Sequence, residues 1–191
     1  MSGSRHLGVI VTASLAGLLF GFDTVVISGV TNSIRETFHL APGSFWAGFA
    51  VASALVGTFL GALFAGPPGD RYGSRDALKA VGVMYVVSAL GCAFCWNLES
   101  FYFFRFVGGL AIGASSVLAP VYISEIAPAE RRGALTGLFQ FNIVFGILLA
   151  FLSNALVQQF AGEGDPWRVK LGIAAVPAIF FLFMMYTIPQ S

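Results

Sequence analysis

Residues 7–30 read LGVIVTASLAGLLFGFDTVVISGV, an apolar run broken by one charge, Asp23. A transmembrane helix needs about 20 apolar residues to cross about 30 Å of hydrocarbon, so this run is long enough to span. It is far longer than the roughly 7–15-residue apolar core of a removable signal peptide, and it is expected to remain as a first membrane helix. A lone strand would leave backbone groups unsatisfied in lipid, so the span must be helical.

Working outward, the same pattern repeats five times, over residues 45–65, 80–98, 101–124, 134–158 and 171–189. Ser44 stands where it can cap the second helix, and Gly66-Pro67-Pro68-Gly69 closes it. The 191 residues divide into about 32 per helix plus loop for six spans. Composition agrees: 57% of residues are hydrophobic, 10% are charged and the mean hydropathy is +0.84, whereas soluble domains carry about a quarter charged residues. These values exclude an ordinary soluble enzyme, a disordered tail and a disulfide-stapled secreted domain. They leave an all-α membrane protein, a six-transmembrane-helix bundle, embedded in the lipid bilayer.

The formal charge of +1 offers no basic face, so no nucleic-acid partner is expected. Cys92 and Cys95 form a CxxC inside an apolar run without a second cysteine pair. Packing residues are the expected reading, against a redox or metal site. The loops on the N-terminal side hold Arg5, Arg71, Arg75, Lys79, Arg131 and Arg132, and the opposite side holds Arg35, Arg168 and Lys170. The positive-inside rule then puts both termini in the cytoplasm. Gly17/Gly21, Gly57/Gly61 and Gly109/Gly113 are small-xxx-small pairs that let helix backbones approach closely. The run Gly108-Gly109-Leu110-Ala111-Ile112-Gly113 lacks the preceding strand that a nucleotide fingerprint needs.

Two charges fall within the spans, Asp23 and Arg105. A charge at the centre of a membrane helix costs about 2.5–3.5 kcal/mol on insertion scales, and such residues mark ion or substrate paths. The simplest arrangement pairs the two across a polar cavity. The alternatives are a purely structural ion pair, or an Arg105 that snorkels to the interface near Phe101. An Asp23 carboxyl that is protonated when desolvated and ionised when Arg105 approaches would behave as a proton-coupling site. Gln140, with Asn142 close by, is a second candidate, because an amide both donates to and accepts from hydroxyl groups. Phe20, Phe22, Phe139 and Phe141 could cover a sugar ring. With twenty phenylalanines in the chain, contact with lipid or core is the blander role for each.

Two loops concentrate the remaining charge: residues 66–79, GPPGDRYGSRDALK, and residues 120–133, PVYISEIAPAERRG. With GFDTVVISG at 21–29, RFVGGLAIGASSVLAPVYISEIAPAERRGAL at 105–135 and the Gln140 that follows, they resemble the N-terminal half of a sugar porter of the major facilitator superfamily. The resemblance implies a single N-terminal transmembrane domain over residues 1–191, with a C-terminal six-helix half as its missing partner. It implies that Asp23 couples proton movement with Arg105 as its partner. It implies that Gln140 hydrogen-bonds the sugar, and that Phe20 and Ile147 form apolar wall. It also implies a cytoplasmic charge network of Asp70, Arg71, Arg75, Glu125 and Arg132.

Two details depart from that pattern: Gly73-Ser74-Arg75 lacks one arginine of the usual loop signature, and Pro67-Pro68 is unusual at the end of the second helix. Ile188-Pro189-Gln190-Ser191 resembles a family motif that continues Pro-Arg-Trp, so the chain is expected to stop inside it. The functional expectation is a multi-pass cell-membrane carrier of a monosaccharide or polyol, working by proton symport and alternating access. No enzyme activity, cofactor or metal is expected, and protons are the coupling ion. The alternatives are a truncated, non-transporting membrane interaction protein and a homodimeric half-transporter.

Overall fold

A computed structural model of the chain describes residues 3–160 and 166–188. Helix α1 (Gly3–Val26) runs into a 3-10 turn over Ile27–Gly29 and is followed by the short α2 (Thr31–Thr37). Next come α3 (Phe45–Phe64), the short α4 (Gly66–Tyr72), α5 (Ser74–Ala93) and α6 (Leu98–Ile126). The 3-10 turn Ala129–Arg131 leads into α7 (Arg132–Phe160), and α8 (Trp167–Ile173) and α9 (Ala175–Thr187) close the described part. Among the described residues, six segments are long and apolar enough to cross a membrane: Gly8–Gly29, Phe45–Phe64, Ser74–Ala93, Leu98–Ile126, Ala129–Phe160 and Trp167–Thr187. We refer to them as spans 1 to 6.

Several boundaries differ from the apolar-run reading, each for a local reason. Ser44 does cap span 2, its side chain accepting from the Ala47 N–H at 3.3 Å. Span 3 starts at Ser74 rather than residue 80. The backbone breaks at Gly73, with φ of 84°, a conformation open to glycine. The Asp76–Lys79 ion pair of 2.7 Å then lets a charged first turn stay helical. Span 4 starts at Leu98 because Asn97 and Ser100 form a capping box. It continues through Pro120 to Ile126. Span 6 begins at Trp167 rather than 171 and is broken at Ala174 between α8 and α9. The last expected residue of that span, 189, lies outside the described residues.

Close backbone contact at glycine sets the helix pairing. A Cβ at Gly57 or Gly61 of α3 would run into the carbonyls of Phe106 or Leu110 in α6. A Cβ at Gly109 or Gly113 of α6 would meet the carbonyls of Ala54 or Thr58 in α3. The two glycine pairs therefore pack against each other. Gly17 and Gly21 of α1 meet the Phe139 and Ile143 carbonyls of α7, and Gly146 of α7 meets Leu18 of α1. Outward-facing side chains such as Leu55, Phe59, Phe103, Phe151, Phe180 and Phe183 are each more than half exposed. An apolar belt of that size suits lipid rather than water.

Candidate functional site

Asp23 lies one turn before the end of α1, and Arg105 lies two turns after the Asn97 cap of α6. They meet inside the bundle. Arg105 Nη1 donates to both carboxylate oxygens of Asp23, at 2.9 and 3.0 Å. The Arg105 side chain is 3% exposed and that of Asp23 is 14%. Arg105 is thus buried and paired, which removes the snorkelling alternative. Among the described residues Arg105 Nε is buried without a partner, so the guanidinium uses one nitrogen where a saturated fork would use two. Ser88 of α5 donates to the Phe104 carbonyl at 2.7 Å beside the pair, and Tyr85 and Ser115 share a buried hydrogen bond of 3.1 Å.

The seam between α1 and α7 carries the other candidates. Gly17 and Gly21 bring α1 onto Phe139, Ile143 and Ile147 of α7, so Phe20 and Asp23 lie on one member of a tightly packed helix pair and Gln140 and Ile147 on the other. Phe20 and Ile147 are half-buried, and Gln140 is exposed. Among the described residues Gln140 makes no hydrogen bond. Asn142, by contrast, is buried and committed, its amide donating to Ser14 Oγ at 2.8 Å and to the Leu138 carbonyl at 3.1 Å. Phe22 and Phe139 belong to the core, whereas Phe141 is exposed and stacks on Phe145 at 6.3 Å.

At the end of the bundle bearing residues 66–79, Glu125 accepts a hydrogen bond from Ser74 at 3.1 Å, and Arg75 donates to the Tyr186 carbonyl at 3.5 Å. These contacts tie span 3 to spans 4 and 6. Arg71 lies over the Tyr72 ring at 5.5 Å. Asp70 and Arg132 are exposed, and among the described residues no ion pair joins the five expected members of the charge network to one another. Arg75 and Glu125 are held by a carbonyl and a hydroxyl instead.

The opposite end holds residues that the apolar-run reading missed. Lys170, assigned to a loop by its charge, lies in α8 and is 5% exposed. Arg168 Nη1 donates to the Ala93 and Cys95 carbonyls at 3.0 and 2.8 Å. Trp167 followed by two cations was the available signal, since aromatic and basic residues together mark the membrane interface. Cys92 and Cys95 are free and buried in an apolar cluster, as packing residues are. Burial pushes the Cys95 thiol up, with Arg168 opposing it.

Residues 9–191 match the family model described as "Sugar (and other) transporter". The chain belongs to this sugar transporter family. It is 40% identical to a D-xylose transporter of Levilactobacillus brevis over 93% of this chain and 38% of that protein. It is 34% identical to a D-xylose-proton symporter of Escherichia coli K12, covering all of this chain and 44% of the symporter. The solved structure of the proton:xylose symporter XylE bound to 6-bromo-6-deoxy-D-glucose superimposes with a TM-score of 0.93 at 33% identity. That match takes in all of this chain and 46% of the solved one. The chain therefore spans less than half the length of these relatives. The six spans among its described residues match the N-terminal half of the XylE fold, and the family's members are integral membrane transporters rather than enzymes.

Proposed function

We propose that this chain forms the N-terminal half of a proton-coupled carrier for a pentose, hexose or polyol of the kind its relatives move. A second six-helix half would complete it, with the sugar held between the halves near the midplane. The observation that carries the reading is the buried Asp23–Arg105 pair, with Gln140 exposed on α7, the helix packed against α1. An ion pair in low dielectric is held by charge on both members. Protonation of Asp23 removes one charge and releases Arg105, whose unpartnered Nε is already open to a new acceptor. Gln140 supplies a free amide to sugar hydroxyls, and Phe20 and Ile147 supply apolar wall. Proton and sugar each bias the equilibrium between outward- and inward-facing states. Arg75 and Glu125, with Asp70, Arg71 and Arg132 around them, hold the cytoplasmic helix ends in one of those states. Both termini then lie in the cytoplasm, following the excess of cations in the loops on that side.

The test joins this chain to the C-terminal half of the Escherichia coli D-xylose-proton symporter, in proteoliposomes with an inward proton gradient. Gradient-driven accumulation of labelled D-xylose, myo-inositol or glucose, abolished by a proton ionophore, is the expected result. Sugar binding with gradient-independent flux would reject the coupling, and no binding of any of the three would reject the substrate class.

A further inference from the structure

Span 1 ends as an α-helix at Val26 and tightens into the turn Ile27–Gly29. The final carbonyls of a helix have no donor within it, and here other spans help to supply them. The Ile27 carbonyl is served locally, by the Val30 N–H at 3.1 Å and the Thr31 hydroxyl at 2.9 Å. The Val26 carbonyl accepts from the Asn154 amide of α7 at 3.5 Å. The Gly29 carbonyl accepts from Lys170 Nζ of α8 at 3.2 Å, and the same ammonium donates to Gln158 Oε1 of α7 at 2.7 Å. The fit is tight, because a Cβ on Gly29 would collide with the Asn154 side chain. Two residues earlier, Arg168 closes the end of α5 in the same way through the Ala93 and Cys95 carbonyls. Both cations stand at helix C-termini, where the aligned peptide dipoles favour positive charge.

We propose that Lys170 is a positioning residue for Asp23. It caps the end of span 1 from span 6, and so holds the turn that presents Asp23 to Arg105. Gly29 lies six residues beyond Asp23 in the sequence, about 9 Å along a helix axis, so the cap and the ion pair belong to the same short stretch of helix. The Asp23–Arg105 contact is observed; its role in coupling rests on the function proposed above.

Two measurements on the 191-residue chain in lipid nanodiscs test this. One is amide hydrogen exchange over residues 26–31, and the other is the infrared carboxylate band of Asp23, assigned by its loss in Asp23→Asn. In Lys170→Met, exchange over residues 26–31 is expected to speed up by about tenfold or more, the scale of one hydrogen bond to a charged group. The Asp23 band is expected to shift at the same time, and Lys170→Arg to restore both. If Lys170→Met does not fold, Lys170→Gln removes the charge with less loss of polarity and is expected to give the same two changes. Faster exchange with an unmoved band would reduce Lys170 to a structural cap and overturn the positioning role. No change in either measurement would overturn the cap as well. If the band behaves as expected but the fused carrier moves sugar without proton coupling, the functional reading fails while the positioning of Asp23 stands.

Discussion

At the scale of single residues, the Asp23–Arg105 contact is stabilised by charge but not saturated with hydrogen bonds. One guanidinium nitrogen serves both carboxylate oxygens, while Nε has no acceptor among the described residues. In the fused carrier, Asp23→Asn is expected to abolish proton-driven accumulation and to leave sugar exchange, because asparagine keeps an acceptor for Arg105 but takes no proton. Undiminished uphill uptake by that variant would refute the coupling role. Gln140→Ala is expected to weaken sugar binding by about 1 kcal/mol, roughly fivefold, the net value of one hydrogen bond. Calorimetry showing unchanged affinity would count against it. Asp23 and Arg105 were legible in the sequence because each interrupts a long apolar run, and the expense of such a charge marks it out. Lys170 was not legible by the same rule. It precedes its apolar run, and only the fold reveals that α8 carries it under the ends of spans 1 and 5.

Among helices, contact is decided by where side chains are missing. The glycine pairs were visible as spacing, and the expectation that they serve close packing holds for all three. Spacing alone could not say that Gly57/Gly61 and Gly109/Gly113 face each other, since any small-xxx-small stripe fits several partners. Helix bounds were least legible where capping or a glycine break overrode hydropathy, as at Gly73 and Asn97. The packing predicts opposite outcomes for two chemically identical changes. Gly109→Ala drives a methyl into the Ala54 carbonyl of α3, and backbone yields poorly, so a loss of about 1–3 kcal/mol is expected. Gly137→Ala on α7 meets nothing within 4 Å among the described residues. It is expected to be neutral or to stabilise by up to about 1 kcal/mol, because alanine restricts the unfolded chain and favours helix. Thermal unfolding of the two purified variants in one detergent decides the matter. Equal melting temperatures would mean that α3 and α6 do not depend on this contact.

For the whole molecule, the two ends of the bundle differ in charge and in the way they are tied. One end carries Asp70, Arg71, Arg75, Asp76, Lys79, Glu125, Arg131 and Arg132, largely in solvent-facing loops and helix starts. At the other, Arg168 and Lys170 are spent on backbone carbonyls within the fold. The positive-inside rule counts cations flanking the spans. Two of the three on the sparser side are therefore engaged inside the protein, which widens the contrast between the two surfaces. Orientation follows: the loop between spans 2 and 3 is expected in the cytoplasm, and the loop between spans 1 and 2 outside. Pro42 and Asp70 are exposed in these two regions, and the native thiols of Cys92 and Cys95 are buried, so introduced cysteines can be read with little background. In intact cells a membrane-impermeant maleimide is expected to label Pro42→Cys and to spare Asp70→Cys, and permeabilisation should expose both. Labelling of Asp70→Cys alone in intact cells would invert the topology. It would also move the Arg75 and Glu125 contacts to the outer surface, where they could not act as a cytoplasmic latch.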